Sequence, residues 1–104
     1  MSEGDLVRNI ISALNIVGVK AWRCQSGMVK VKRAFMHLAP KGTPDVIGYV
    51  MRGPSAGRFV AVEAKLKGNK PAPEQLQWIA DARVSGVLAG VAYSVDDALK
   101  IAKG

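Results

Sequence analysis

Two carboxylates stand where the sequence is otherwise apolar. Asp45 precedes Val46-Ile47-Gly48-Tyr49-Val50, and Glu63 follows Phe59-Val60-Ala61-Val62. A buried carboxylate is costly unless it is paired or holds a cation. If the two segments form an antiparallel hairpin that turns near Pro54, partner numbers sum to 108 and Asp45 faces Glu63. Directly opposed residues hold their Cβ atoms about 4.5–5.5 Å apart, and like charges there repel unless a cation lies between them. Two converging hard oxygen donors suit Mg²⁺ or Mn²⁺ rather than zinc. Lys65, two residues beyond Glu63, shares its face of the strand. The Ala64 side chain points the other way, yet its backbone carbonyl is a further donor. A cation so held would polarise a scissile phosphate and acidify a water, while a lysine orients that water or neutralises developing charge. A bulge would shift this register. The plainer alternatives are a strand-start aspartate that caps a turn and a solvated edge-strand pair of Glu63 and Lys65.

These residues need elements to carry them. Leu6, Val7, Ile10, Ile11, Leu14 and Val17 recur at spacings of three and four, which predicts a helix over 5–17 ended by Gly18. Ser2 and Asp5 make a capping box before it. Val19–Cys24 reads as a short strand, and Gln25–Gly42 as irregular or hairpin-like. Asp45–Val50 and Arg58–Lys65 read as strands around the turn residues 52–57, which include Gly53, Pro54 and Gly57. Pro73 opens a helix running to Val84, with Leu76, Ile79, Ala80 and Val84 as its expected buried stripe. Leu88–Tyr93 reads as another strand. Ser94 and Asp97 cap a terminal helix through Ala102. The order is α-β-β-β-α-β-α, one α/β domain over residues 1–104.

Composition narrows the partners. The 104 residues carry 15 Lys and Arg against 8 Asp and Glu, a net charge of +7. Between Leu6 and Pro44 there is no acidic residue, while Arg8, Lys20, Arg23, Lys30, Lys32, Arg33 and Lys41 lie there. Lys65, Lys67 and Lys70 form a second group. Such clustering suits a phosphate-facing surface, so nucleic acid is the expected partner. With one cysteine, Cys24, a disulfide framework or cysteine-cage zinc site is excluded. No apolar run approaches the ~20 residues of a membrane span, and the acidic start Met1-Ser2-Glu3-Gly4-Asp5 is unlike a signal peptide. The expected location is the cytoplasm. His37 is the single histidine, which argues against Ser-His-Asp chemistry. His37 itself reads as a surface or packing residue. Trp22 and Trp78 are of a type found more often in cores and interfaces than stacked on bases.

Pro44-Asp45 followed by Glu63-Ala64-Lys65 resembles the PD-(D/E)xK nuclease signature. The wider run Gly42-Thr43-Pro44-Asp45-Val46-Ile47-Gly48, then Val62-Glu63-Ala64-Lys65, then Pro73-Glu74-Gln75, resembles the virus-type replication-repair nuclease (VRR-NUC) family. Ala21-Trp22-Arg23 and Val91-Ala92-Tyr93-Ser94 extend the likeness over nearly the whole chain; the stretch 28–41 carries less of it. The resemblance implies a restriction-endonuclease-like core of mixed sheet flanked by helices. It implies an Mg²⁺- or Mn²⁺-dependent endonuclease for branched or structured DNA, akin to Holliday-junction resolvases. It further implies a stand-alone phage or prophage protein that works as a homodimer. By position, Asp45 and Glu63 become metal ligands with the Ala64 carbonyl, and Lys65 the catalytic lysine. Gln75 becomes the family's glutamine and Glu3 its N-terminal glutamate. Glu3 shares a helix face with Val7, Ile10 and Leu14, whereas Asp5 lies with Arg8 on the polar side. Gln75 sits nearer the helix start than its competitor Gln77. Lys30, Lys32, Arg33, Lys41, Lys67 and Lys70 are the expected backbone-binding cations. Two further readings stay open: a non-catalytic nucleic-acid-binding module on the same fold, and a sequence-specific restriction-type endonuclease.

Overall fold

The computed structural model describes residues 1–24, 28–31, 34–37 and 39–104, with side chains placed outside 25–38. Among the described residues nine elements follow one another: α1 (Glu3–Ile16), β1 (Val19–Arg23), β2 (Met28–Val31), β3 (Ala34–His37), β4 (Val46–Val50), β5 (Phe59–Ala64), α2 (Pro73–Val84), β6 (Leu88–Ala92) and α3 (Val95–Lys103). Four strands make one mixed sheet in the order β1-β4-β5-β6. The first three pair antiparallel, and β6 joins β5 in parallel after the α2 crossover. Among the described residues β2 and β3 pair only with each other, antiparallel, within the segment read as irregular or hairpin-like. This is the mixed sheet flanked by helices that the sequence implied. Among the described residues no helix is long and apolar enough to cross a membrane.

Alternation along the strands sends side chains to two faces. Val19 and Ala21 of β1, Val46 and Val50 of β4, Val60, Val62 and Ala64 of β5, and Leu88 and Ala92 of β6 pack under α1 and α3. Leu6, Val7, Ile10 and Leu14 supply the α1 side of this core. Gly48 lies in the same layer; a Cβ there would overlap the Lys20 carbonyl, so its absence lets β1 close onto β4. The opposite face carries Ile47, Ala61, Ala89 and Val91, packed against Ile79, Trp78 and Ala82 of α2.

Helix caps follow the sequence closely. Ser2 and Asp5 exchange hydrogen bonds at the start of α1, and Ser94 accepts from the Asp97 amide at the start of α3. The capping box draws α1 forward, so it begins at Glu3 rather than residue 5. The expected stripe on α2 needs correcting. Leu76 is 50% exposed, Val84 is 90% exposed and Ala80 is exposed; only Ile79 of that set is buried. The inward face is instead Gln75, Trp78, Ile79 and Ala82. Its apolar residues are too scattered to define a stripe, and a polar contact from Gln75 helps to fix the rotation.

Candidate active site

The β4–β5 ladder pairs Val46 with Val62, Ile47 with Ala61 and Tyr49 with Phe59. Each pair keeps the register expected from the sequence, with no bulge between them. Asp45 stands just before β4, one step past the last pair, and its carboxylate accepts a hydrogen bond from the Ala64 amide at 3.1 Å. Asp45 and Glu63 therefore meet at one end of the sheet, on the face that α2 covers.

Glu63 is 1% exposed. Its Oε2 accepts from Gln75 Nε2 at 3.2 Å and lies 3.5 Å from Lys65 Nζ. Its Oε1 is buried with no hydrogen-bond partner among the described residues. Burial, and next the Asp45 carboxylate beside it, push the Glu63 carboxyl up to about 8 against the pull of Lys65. An orphaned buried oxygen is rare in folded proteins and calls for an explanation. Among the described residues no cluster of three or more His, Cys, Asp or Glu side chains forms a cation site. Two carboxylates need a third donor from elsewhere. The Ala64 amide points toward Asp45 while the Lys65 amide donates to Ala92 in β6. Backbone groups of one strand residue share a side, so the Ala64 carbonyl also faces the Asp45 side. Three oxygen donors, one of them unsatisfied, fit a divalent hard cation.

Two local devices hold this cluster. Gln75 uses both ends: its Oε1 accepts from the Ala72 amide at 2.7 Å while its Nε2 reaches Glu63. The α2 start is thereby tied to β5. Ahead of Asp45, Thr43 Oγ1 donates to the Pro40 carbonyl at 2.5 Å, and Thr43 and Pro44 are buried. Gly42 adopts φ +89°, and a Cβ on it would lie 2.5 Å from the Glu74 carbonyl oxygen. The loop before Asp45 is thus pressed on the first turn of α2 by a residue that must lack a side chain.

Gly42→Ala is accordingly expected to destabilise the fold by roughly 2 kcal/mol or more through strain and overlap. Gly53, at φ +88° with nothing within 4 Å of an added Cβ, provides the comparison. Gly53→Ala should cost only the backbone strain, about 1 kcal/mol. Urea unfolding midpoints of the two variants check this; equal losses would remove the α2 contact as a cause.

The remaining expected residues are placed as follows. Glu3 is half-buried at the first position of α1. Since β1 runs back along α1 and ends beside the start of β4, Glu3 lies at the Asp45 end of the sheet. No hydrogen bond or ion pair joins it to the cluster among the described residues. Gln77 is exposed and donates to Asp81. Lys41 is exposed and pairs with Glu74 at 3.4 Å, so this expected phosphate-binding cation already has an anionic neighbour. Lys67 and Lys70 are exposed along a shallow cleft of about 460 Å³ with Tyr93. Lys30 lies in β2 opposite Phe35, placed as a backbone position only. Lys32 and Arg33 lie outside the described residues. The sequence reading missed Cys24, whose amide donates to the Asp45 carbonyl at 2.6 Å. Burial and the Asp45 charge raise its thiol. Its position two residues past Trp22 in the β1 alternation was the available signal.

A solved structure described as a VRR_NUC domain superposes on the chain with a TM-score of 0.66, covering 97% of this chain and 94% of that one. The chain has the VRR_NUC fold. Identity over the match is 20%, so the likeness speaks for the backbone. No family model matches the sequence, and no curated protein does. On the VRR_NUC fold, the cluster occupies the start of β4 and the end of β5, with α2 closing one side.

Proposed function

We propose that this chain is a nuclease that hydrolyses phosphodiesters of DNA with Mg²⁺ or Mn²⁺, preferring branched or structured substrates. The observation that carries the reading is the buried Oε1 of Glu63 beside Asp45, which has no hydrogen-bond partner among the described residues. A fold built for stability alone would have given that oxygen a donor or replaced it with an apolar group. The likeness to a VRR_NUC domain and the net charge of +7 support a nucleic-acid substrate.

Asp45, Glu63 and the Ala64 carbonyl would hold the cation. When bound, the cation supplies Lewis acidity toward the phosphate and lowers the pKa of a water. Lys65, on the same strand face as Glu63, would orient the attacking water and neutralise charge that grows on the phosphate oxygens. Gln75 keeps the Glu63 carboxylate in one rotamer while holding α2 against the site. Glu3 would support the same end from α1. Lys67 and Lys70 extend the positive surface beyond Lys65 to hold flanking backbone. A branched substrate needs two cuts, and a homodimer supplies two such sites; a monomer in analytical ultracentrifugation at micromolar concentration would remove that part.

The test is a panel of labelled four-way junction, flap and linear duplex, each incubated with Mg²⁺, Mn²⁺ or EDTA. Cleavage is expected with either cation and none with EDTA, with the branched substrates cut fastest. The Asp45→Ala protein serves to show that the activity belongs to this chain. Binding that is indifferent to metal, with no cleavage of any substrate, would leave a non-catalytic binding module. Cuts confined to one sequence of linear duplex would instead mark a restriction-type enzyme.

A further inference from the structure

The α2 face of the sheet is only partly covered. Trp78, Ile79 and Ala82 of α2 pack over Ile47, Ala61, Ala89 and Val91. Among the described residues, none packs over the β1 side of the same face. By register, Lys20, Tyr49 and Phe59 form one row across β1, β4 and β5, and Trp22, Ile47 and Ala61 form the next. Asp45 and Glu63 stand one row further on. Trp22 is 43% exposed, Tyr49 40% and Phe59 38%, and Lys20 is exposed. Among the described strand residues on this face, the only acidic side chain is Glu63, with Asp45 just ahead of β4.

Three large aromatic rings on a solvated sheet face are costly to leave in water. We infer that these rings, on two adjacent rows, form a stacking platform for unpaired bases, so that a single-stranded arm of the substrate lies along the sheet and runs into the carboxylate pair. This deepens the nuclease reading and rests on it for what the strand is delivered to. The chemistry of these rows matches that occupant. Every base offers a π-face to Trp, Tyr or Phe, and Lys20 beside them answers the phosphate charge. An acidic occupant also suits a chain of net charge +7. The spacing agrees as well. Successive rows are two strand residues apart, about 7 Å. A base on Trp22 is then about two helical base rises from the Asp45 row, at about 3.4 Å each. Duplex DNA keeps its bases stacked inside and cannot use the rings in this way. The platform therefore selects flaps, gaps and open junction centres over linear duplex.

The experiment is carried out in EDTA, so that binding is read without cleavage. Fluorescence anisotropy is measured with a labelled oligo(dT) 15-mer and with a linear duplex of equal length. Trp22→Ala and Tyr49→Ala are each expected to weaken oligo(dT) binding about tenfold, while duplex affinity changes less than twofold. Trp22→Phe, which keeps a ring, should restore most of the oligo(dT) affinity. Circular dichroism of each variant confirms an intact fold, as these rings lie outside both cores. Equal losses on oligo(dT) and duplex would overturn the proposal, as would no loss on either. Sedimentation in which Trp22→Ala turns a dimer into a monomer without changing oligo(dT) affinity would overturn it too, because the face would then be an interface between copies. The two readings fail separately. Mn²⁺-dependent cleavage with oligo(dT) affinity indifferent to Trp22 sinks the platform alone. Ring-dependent oligo(dT) binding with no cleavage by the wild-type chain sinks the nuclease reading alone.

Discussion

Replacing Glu63 with glutamine is expected to stabilise the metal-free protein at pH 8 while abolishing cleavage. The two effects share one cause. In the unfolded chain Glu63 titrates at its ordinary 4.5, whereas burial and then Asp45 push it up to about 8 in the folded protein. Between those values the folded state retains a proton that the unfolded chain has released. Stability of the metal-free protein from this group is therefore highest below about pH 4.5, falls by roughly a few kcal/mol as pH rises to about 8, and is level above that. A glutamine has no such titration. Its amide can donate toward Asp45 and still accept from Gln75, so the oxygen now left without a partner no longer imposes a cost. The Glu63→Gln curve of melting temperature against pH should be nearly flat across this window.

Divalent cations separate the same two proteins in the opposite sense. A cation needs the ionised carboxylate, so its binding displaces the Glu63 proton and tightens with rising pH. Mn²⁺ at about 100 times its dissociation constant contributes roughly 2.7 kcal/mol, worth ~10 °C or more in a domain of this size. The wild type should show that rise at pH 8.5 and a smaller one at pH 6. Glu63→Gln should show neither, and its cleavage rate should fall at least ~10³-fold, equivalent to about 4 kcal/mol of lost stabilisation. Differential scanning fluorimetry across pH, with and without Mn²⁺, reads all of this. A wild-type melting temperature that ignores Mn²⁺ at every pH would remove the cation from the account.

Much of this site was legible because strand pairing is arithmetic. The turn closes on a bulge at Gly57, on its own side of Val50, so the ladder from Tyr49–Phe59 to Val46–Val62 keeps the sum of 108 and brings Asp45 to the end of β5. Residue alternation then assigns Glu63 and Lys65 to one face. The caps at Ser2 and Ser94 and the proline at the head of α2 were equally local, and local signals survive folding. What escaped the sequence was tertiary. The rotation of α2 depends on Gln75 reaching Glu63, a contact that hydrophobic periodicity cannot register; Leu76 and Val84 were consequently assigned inward and lie outward. Gly42 gives no hint in sequence that its missing side chain makes room for the Glu74 carbonyl. Lys41 looked like a free cation because Glu74, its partner, is 33 positions away. The exposed aromatic platform was hidden for a similar reason. Trp22, Tyr49 and Phe59 come from three strands, and only the register brings them onto adjacent rows of one face.

Lys65 provides the sharpest division between holding the cluster together and doing chemistry. Its Nζ lies 3.5 Å from Glu63 Oε2, with the side chain 17% exposed, so it is both an ion-pair partner and a group that can meet a substrate. A structural role predicts that Lys65→Met costs stability and leaves the rate per folded molecule intact. A catalytic role predicts the reverse emphasis. Methionine keeps the length and apolar stem but removes the charge, leaving Glu63 with Gln75 as its remaining described donor. The metal-free protein should then destabilise only modestly, because the carboxyl can stay protonated. With a cation present, charge growing on the phosphate would lose its ammonium, and kcat is expected to drop about 10²- to 10³-fold. KM for a flap or junction substrate should move less than threefold, since the exposed Lys67 and Lys70, the proposed backbone-binding cations, are untouched. Lys65→Arg keeps the charge but spreads it over a larger planar group, and should recover binding geometry without recovering the full rate. Single-turnover cleavage at saturating enzyme isolates the chemical step. A Lys65→Met protein that cuts at the wild-type rate would confine this residue to the ion pair with Glu63.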